Sequence, residues 1–333
     1  MKALVLTEIE KMEVQDIKEP KPLPKEVKIQ MKYVGICGTD KHLYQGLPGS
    51  ATATPPIVLG HENSGIVVEA GHLVDSLKVG DRVTIDPNIP CLHCRYCHEG
   101  RIHLCENLEA AGVTRNGGME EFVTVPERCV YKIPDTLSYK AAAMTEPVSC
   151  VVHGFQELEI KQHYKTLVIG DGFVGQLFIS LLKARNVGEI YVSGHNEKKI
   201  PLLKEIGADV VFDPEKEQLN ETFDVIIECV GRPNTQEQAI QMAARGGQIL
   251  MFGVGDPKTE IQVNAYDIYF KELIIKGAFI NPHVMEDAIS ILDHQVINVE
   301  KLITHELTLE EVEAVLSGEN QEKITKAVVK ISE

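Results

Sequence analysis

The chain has 333 residues, 44% of them hydrophobic and 25% charged, with a formal net charge of −16. That length supports two domains with separate cores, and the acidic balance argues against nucleic acid or an anionic membrane surface as a partner. The opening run, Met1-Lys2-Ala3-Leu4-Val5-Leu6-Thr7-Glu8, is too short and too soon acidic for a signal peptide or a membrane span, so a cytoplasmic protein is expected. Eight cysteines without a secretion signal point to metal or catalysis more than to disulfides.

Residues 1 to about 90 read as β-rich. Short apolar or alternating runs at 2–6, 27–34, 65–70 and 80–85 are separated by connectors rich in Pro and Gly. Many short strands with such punctuation predict a barrel-like domain. Two motifs fall at expected loop or strand ends. The first is Gly35-Ile36-Cys37-Gly38-Thr39-Asp40-Lys41-His42 and the second is Gly60-His61-Glu62. A thiolate, an imidazole and a carboxylate form a donor set that suits zinc. Thr39 and His42 are a hydroxyl and a base of the kind a proton relay uses. Taken singly, Cys37 reads equally well as a small buried hydrophobe and His61 as a core histidine.

Cys91-x-x-Cys94-x-x-Cys97 follows, then Cys105. Four cysteines at this spacing fit a closed tetrahedral thiolate site, which holds a structural zinc because all four positions are filled. Strands are expected near 118–125 and 129–133. Next comes Ala141-Ala142-Ala143-Met144-Thr145-Glu146-Pro147. Glu146 reads either as a carboxylate at a helix start or as a further ligand of the first metal.

The pattern changes at Thr166-Leu167-Val168-Ile169, a continuous apolar strand. It runs into Gly170-Asp171-Gly172-Phe173-Val174-Gly175 and then into an apolar helix-length stripe over 177–182. A glycine motif that follows a strand and opens a helix is the dinucleotide fingerprint in its required context. Further strands are expected at 190–192, 209–212, 224–229, 248–252 and 273–276, with helices over 197–206 and 235–244. Such alternation predicts a doubly wound parallel sheet. A final strand over 325–331 is expected to return to the first domain. Val230-Gly231 and Gly253-Val254 join Gly170, Gly172, Phe173, Val174 and Gly175 as expected cofactor contacts.

The end of the second strand of this unit bears on the cofactor. A carboxylate there would hold the ribose 2′-hydroxyl of NAD. The chain gives Ser193-Gly194-His195-Asn196-Glu197-Lys198-Lys199, with Gly194 at the acid's place. Ser193, His195, Lys198 and Lys199 could receive a 2′-phosphate, so NADP is favoured over NAD. Glu197 as a displaced ribose ligand is the alternative.

In their order along the chain, the motifs at Cys37, His61-Glu62, the four cysteines, Glu146 and the glycine turn resemble the zinc-dependent medium-chain dehydrogenases. They are most similar to the sorbitol and polyol dehydrogenase branch. The resemblance covers essentially the whole chain. It implies an α/β protein with a GroES-like catalytic domain at 1–150, carrying a zinc lobe at about 88–108. A Rossmann domain at 151–282 and a C-terminal return at 283–333 complete it. It also implies a homodimer or homotetramer and two zinc ions per subunit. The catalytic zinc would take Cys37, His61 and either Glu62 or Glu146. Asp40 would orient the imidazole, and Thr39 and His42 would relay a proton. The expected reaction is reversible oxidation of a secondary alcohol, a polyol or its phosphate, to the ketone with NAD(P). Tyr44, Arg115 and Asn281 are candidate contacts for the substrate's extra hydroxyls or phosphate. A simple-alcohol or threonine-type dehydrogenase is the alternative substrate reading. A zinc-stabilised protein without turnover and a zinc-ribbon nucleic-acid binder are the alternatives of other classes; the net charge disfavours the latter.

Overall fold

The computed structural model describes residues 1–217, 219–319 and 324–332. The chain divides into two compact units, 1–149 with 280–333, and 150–279.

In the first unit the elements run β1 (Lys2–Glu8), β2 (Lys11–Asp16), β3 (Glu26–Ile36), α1 (Gly38–Tyr44), β4 (Ile57–Val58), β5 (Glu62–Ala70), β6 (Arg82–Ile85) and β7 (Asn88–Ile89). Then come α2 (Arg95–His98), β8 (Glu109–Ala110), β9 (Phe122–Pro126), β10 (Val130–Lys132), α3 (Tyr139–Ala142) and α4 (Thr145–Gln156), the last crossing into the second unit. The second unit has β11 (Thr166–Ile169), α5 (Phe173–Ala184), β12 (Ile190–Ser193), α6 (Ile200–Ile206), β13 (Val210–Phe212) and β14 (Phe223–Glu228). It continues with α7 (Pro233–Met242), β15 (Ala243–Met251), α8 (Ala265–Lys271) and β16 (Ile274–Gly277). The chain then returns to the first unit through α9 (Met285–Asp293), β17 (His305–Leu307), α10 (Val312–Ser317) and β18 (Ala327–Lys330).

The long strand β3 organises the first unit. Val27, Ile29 and Met31 alternate into the core, as a strand with one buried face requires. In the main sheet the order is β10-β6-β5-β3-β18-β17, and β9 also pairs with β3. The antiparallel register of β3 with β5 sets Val34 opposite Asn63 and Gly35 opposite Glu62. This register brings the end of the first motif beside the start of the second. The terminal strand β18 adds on the other side, with Ala327 opposite Ile36.

The second unit is a parallel sheet in the order β13-β12-β11-β14-β15-β16. This is the Rossmann order, with its reversal between β11 and β14. All four residues of β11 are buried, as in a strand covered on both faces.

Two local expectations differ from the structure. The segment after Cys37 is a seven-residue helix rather than a loop. The helix expected over 197–206 opens as a 3₁₀ turn, Glu197–Lys199, and becomes α-helical at Ile200, with Pro201 in its first turn. Proline has no N–H to donate and sits most easily where none is needed.

Candidate active site

Cys37 is the N-cap of α1, and Asp40, three residues on, reaches back to it. Asp40 Oδ2 accepts the Cys37 amide at 2.9 Å. Its Oδ1 lies 3.4 Å from His61 Nδ1, and neither of those buried atoms has another hydrogen-bond partner among the described residues. One fully buried carboxylate therefore faces both candidate ligands. Burial works against a charged His61, but the Asp40 carboxylate and the Cys37 thiol outweigh it and raise its pKa well above the usual imidazole range. Cys37, His61 and Glu62 offer ligand atoms that all lie within 4.8 Å of one another. A thiol, an imidazole and a carboxylate at that spacing fit zinc.

Glu62 is buried and held by an element far away in sequence. Lys326, immediately before β18, donates to Glu62 Oε1 at 2.6 Å and also contacts Oε2. The same ammonium donates to the Ile36 carbonyl at 3.0 Å, one residue before Cys37. Room for the Glu62 carboxylate comes from Gly35, where a Cβ would lie 1.8 Å from Oε2. Met144 packs on the same glycine. Two residues later Glu146 is buried at the start of α4, outside the cluster of mutually close ligand atoms. Thr39 and His42 are half-buried on α1. Their three-residue spacing puts them on one helix face.

Cys91, Cys94, Cys97 and Cys105 also converge within 4.8 Å. The Cys94 sulfur lies 3.6 Å from Cys97 and 4.0 Å from Cys105, and all four thiols are free. A disulfide would need about 2.05 Å. Tetrahedral zinc with Zn–S near 2.3 Å sets sulfurs about 3.8 Å apart, so the lobe fits that ion. Backbone amides of Asn107 and Cys91 donate to Cys105 Sγ at 3.4 and 3.3 Å.

In the second unit the glycine turn has the geometry of a phosphate cradle. Gly172 is the N-cap of α5, and Gly170 donates to the Ser193 carbonyl at 2.9 Å. Val230-Gly231 and Gly253-Val254 pack backbone on backbone, since a Cβ on Gly253 would meet the Gly231 amide at 2.2 Å. Glu228 secures this corner. Its buried carboxylate accepts from the amides of Val230 and Gly231 and from the Thr235 hydroxyl at 2.8–2.9 Å. Around β12, Ser193 is buried in the sheet, His195 pairs with Asp213 at 2.8 Å, and Lys198 is exposed. Lys199 pairs with Asp171 of the turn at 3.0 Å.

Three side chains expected to face substrate are engaged elsewhere. The Tyr44 hydroxyl donates to the Glu10 carbonyl at 2.8 Å. Arg115 is bound by Glu26 at 3.0 Å. Asn281 is buried and accepts from Asn88 Nδ2 at 2.7 Å. Each closes a contact within the first unit.

Comparison with known proteins agrees with this geometry. Residues 23–135 match the family model for the alcohol dehydrogenase GroES-like domain, and residues 174–294 match that for zinc-binding dehydrogenases. The sorbitol dehydrogenase of Halalkalibacterium halodurans is 33% identical over 96% of this chain and 97% of its own. D-arabinitol dehydrogenase 1 of Uromyces fabae is 31% identical over 92% of this chain and 90% of its own. A crystal structure of a zinc-binding dehydrogenase from Sinorhizobium meliloti 1021, bound to NADP, superposes with a TM-score of 0.94 at 34% identity, covering 99% of this chain and 98% of that one. No helix among the described residues is long and apolar enough to cross a membrane. With a GroES-like domain, a Rossmann sheet and relatives aligned over almost its full length, the chain belongs to the zinc-dependent medium-chain alcohol dehydrogenases.

Proposed function

We propose that this enzyme interconverts a polyol or sugar alcohol and its ketone, using zinc at Cys37, His61 and a carboxylate, with NADP favoured over NAD. The convergence of Cys37, His61 and Glu62, with Thr39 and His42 on the helix that Cys37 caps, carries the reading. The names of the sorbitol and arabinitol relatives support the substrate class, and the NADP held by the 34%-identical relative supports the cofactor.

Zinc, when bound, supplies Lewis-acid stabilisation of charge on the substrate oxygen, and the nicotinamide supplies the hydride acceptor. The chain's own residues do the rest. Asp40 fixes Cys37 through its amide and aims His61. Thr39 accepts the alcohol's proton through its hydroxyl and passes it towards His42 on the same helix face. Lys326 holds the Glu62 carboxylate in place. The amides at the start of α5 receive the cofactor's pyrophosphate. The four-cysteine lobe holds a second, structural zinc.

The active form is a homo-oligomer, dimeric or tetrameric. The edge strand β16 exposes Ile274 and Ile275, and nearby α8 exposes Tyr266, Tyr269 and Phe270. An open apolar edge of this kind suits pairing with a second copy. Eight cysteines without a disulfide support residence in the reducing cytoplasm.

The test combines metal analysis with nicotinamide absorbance on sorbitol, xylitol, arabinitol and their phosphates. Two zinc ions per chain and chelator-sensitive turnover, faster with NADP, are expected. One zinc ion and no turnover on any secondary alcohol would leave only the structural lobe. Glu62→Gln and Glu146→Gln then separate the two carboxylates, because only the ligand's loss releases the catalytic zinc.

A further inference from the structure

In doubly wound sheets an acid at the end of the second strand faces the ribose 2′-hydroxyl, and a basic residue nearby accommodates a 2′-phosphate. The strand β12 ends at Ser193, and the next residue is Gly194, so the strand itself offers no acid. The space is nonetheless filled by one. A Cβ built on Gly194 would meet Asp171 Cβ and Oδ2 at 2.7 Å and Cγ at 2.9 Å. Asp171 comes from the glycine-rich turn, and its carboxylate lies against the Gly194 backbone. Its Oδ2 accepts the Asn196 amide at 3.1 Å. Its Oδ1 and its main-chain carbonyl accept from Lys199 at 3.0 and 3.1 Å.

We propose that Asp171 stands in for the missing strand-end acid, and that its pairing with Lys199 sets the choice between a free and a phosphorylated 2′ position on the cofactor. This deepens the nucleotide-site reading above and rests on it. The side chains of Asp171 and Lys199 are 17% and 19% exposed, so an arriving ligand reaches both. A 2′-hydroxyl donates to Asp171. A 2′-phosphate is repelled by Asp171 and drawn to Lys199, so the two residues act on it with opposite sign. Of the other charges after β12, His195 pairs with Asp213 and Lys216 with Asp213 and Glu197, while Lys198 is exposed. Asp171 is the carboxylate that a Cβ at Gly194 would meet, and Lys199 is its cation.

The experiment is calorimetric titration of the full chain with adenosine 5′-monophosphate and adenosine 2′,5′-bisphosphate, which differ only in the 2′-phosphate. Asp171→Asn, nearly isosteric, is expected to shift the affinity ratio about tenfold towards the bisphosphate, the scale of one charge-assisted hydrogen bond. Lys199→Ala is expected to shift it about tenfold the other way, and Lys199→Arg to keep the wild-type ratio. If the substitutions change both ligands alike, the pair only braces the turn and the proposal is wrong. If the wild-type chain binds neither nucleotide, the nucleotide-site reading fails and takes the proposal with it.

Discussion

Gly35 in the first unit and Gly194 in the second use one device to different ends. Each glycine leaves out a side chain, a carboxylate occupies the space, and a lysine pairs with it. At Gly35 the pair is Glu62 with Lys326, 1% and 4% exposed. The lysine arrives from 264 residues along the chain. At Gly194 the pair is Asp171 with Lys199, near the rim and 28 residues apart. A charge cut off from water depends wholly on its partner. One that water can reach exchanges partners at little cost. The first arrangement suits a metal pocket whose ligand must stay in place; the second suits a pocket that answers to its ligand.

The largest effect should come from breaking the buried pair. Lys326→Met takes away the cation paired with the buried Glu62 carboxylate and, in the metal-free chain, should cost about 3–5 kcal/mol of stability, with a clear fall in thermal midpoint. Adding Glu62→Gln should recover much of that loss, because the uncompensated charge is then gone. Measured on the metal-free chain, a loss under about 1 kcal/mol for Lys326→Met would mean that water already reaches Glu62, and the contrast with Asp171 would collapse.

Glu120 shows what a carboxylate does without a lysine. It is 1% exposed, and its Oε2 has no hydrogen-bond partner among the described residues. Burial alone pushes its pKa from 4.5 up to about 8. Between those values the folded chain holds a proton that the unfolded chain has lost. Stability therefore falls as pH rises through that window, and the penalty is complete above about 8. Glu120→Gln should flatten the slope, removing a change on the order of a few kcal/mol across the window. Urea midpoints over that pH range check this; an unchanged slope would mean the carboxyl is solvated.

Substituting the glycines themselves should separate the two pockets by function. Gly35→Ala puts a methyl group into Glu62 and Met144, so, if Glu62 is a ligand of the zinc proposed at Cys37 and His61, it should lower metal content there while leaving the four-cysteine lobe's content unchanged. Gly194→Ala presses on Asp171 at a less severe 2.7 Å. It should leave the metal content of the chain unchanged and alter only the nucleotide preference. Metal content per chain reads the first effect and the two adenosine nucleotides read the second.

The parts of this architecture that are legible in the sequence are those whose information is local. The cysteine spacing, the strand-to-glycine-to-helix turn and the buried β11 depend on neighbours a few residues apart. Cys37 and His61 can be joined because their motifs end one strand and precede the next, and the β3–β5 register then makes them meet. Lys326 carries no such signal, since only the return of β18 to β3 brings it to Glu62. Gly194 reads in sequence as a lost acid, whereas the carboxylate of Asp171 lies against it, a placement visible only in three dimensions. Tyr44, Arg115 and Asn281 look available because polarity is written in sequence and partners are not. The helix α1 escapes because seven residues are too few to establish a helical period.

The smallest stability effect should come from Lys199→Ala, and its size decides whether the rim pair is free to exchange. The substitution removes two contacts, to the Asp171 carboxylate and to its carbonyl. Water can replace both, because the side chains stay about a fifth exposed. The loss should therefore be below about 1 kcal/mol and shrink further in high salt, measured by urea unfolding without nucleotide. The same variant should still lose about tenfold of its relative affinity for the 2′-phosphate. A small cost to folding beside a large change in ligand preference is the mark of a charge held ready for the ligand. If Lys199→Ala destabilised the chain as much as Lys326→Met, the rim pair would be locked into the fold just as the buried pair is. Asp171 would then have no partner to trade for a phosphate.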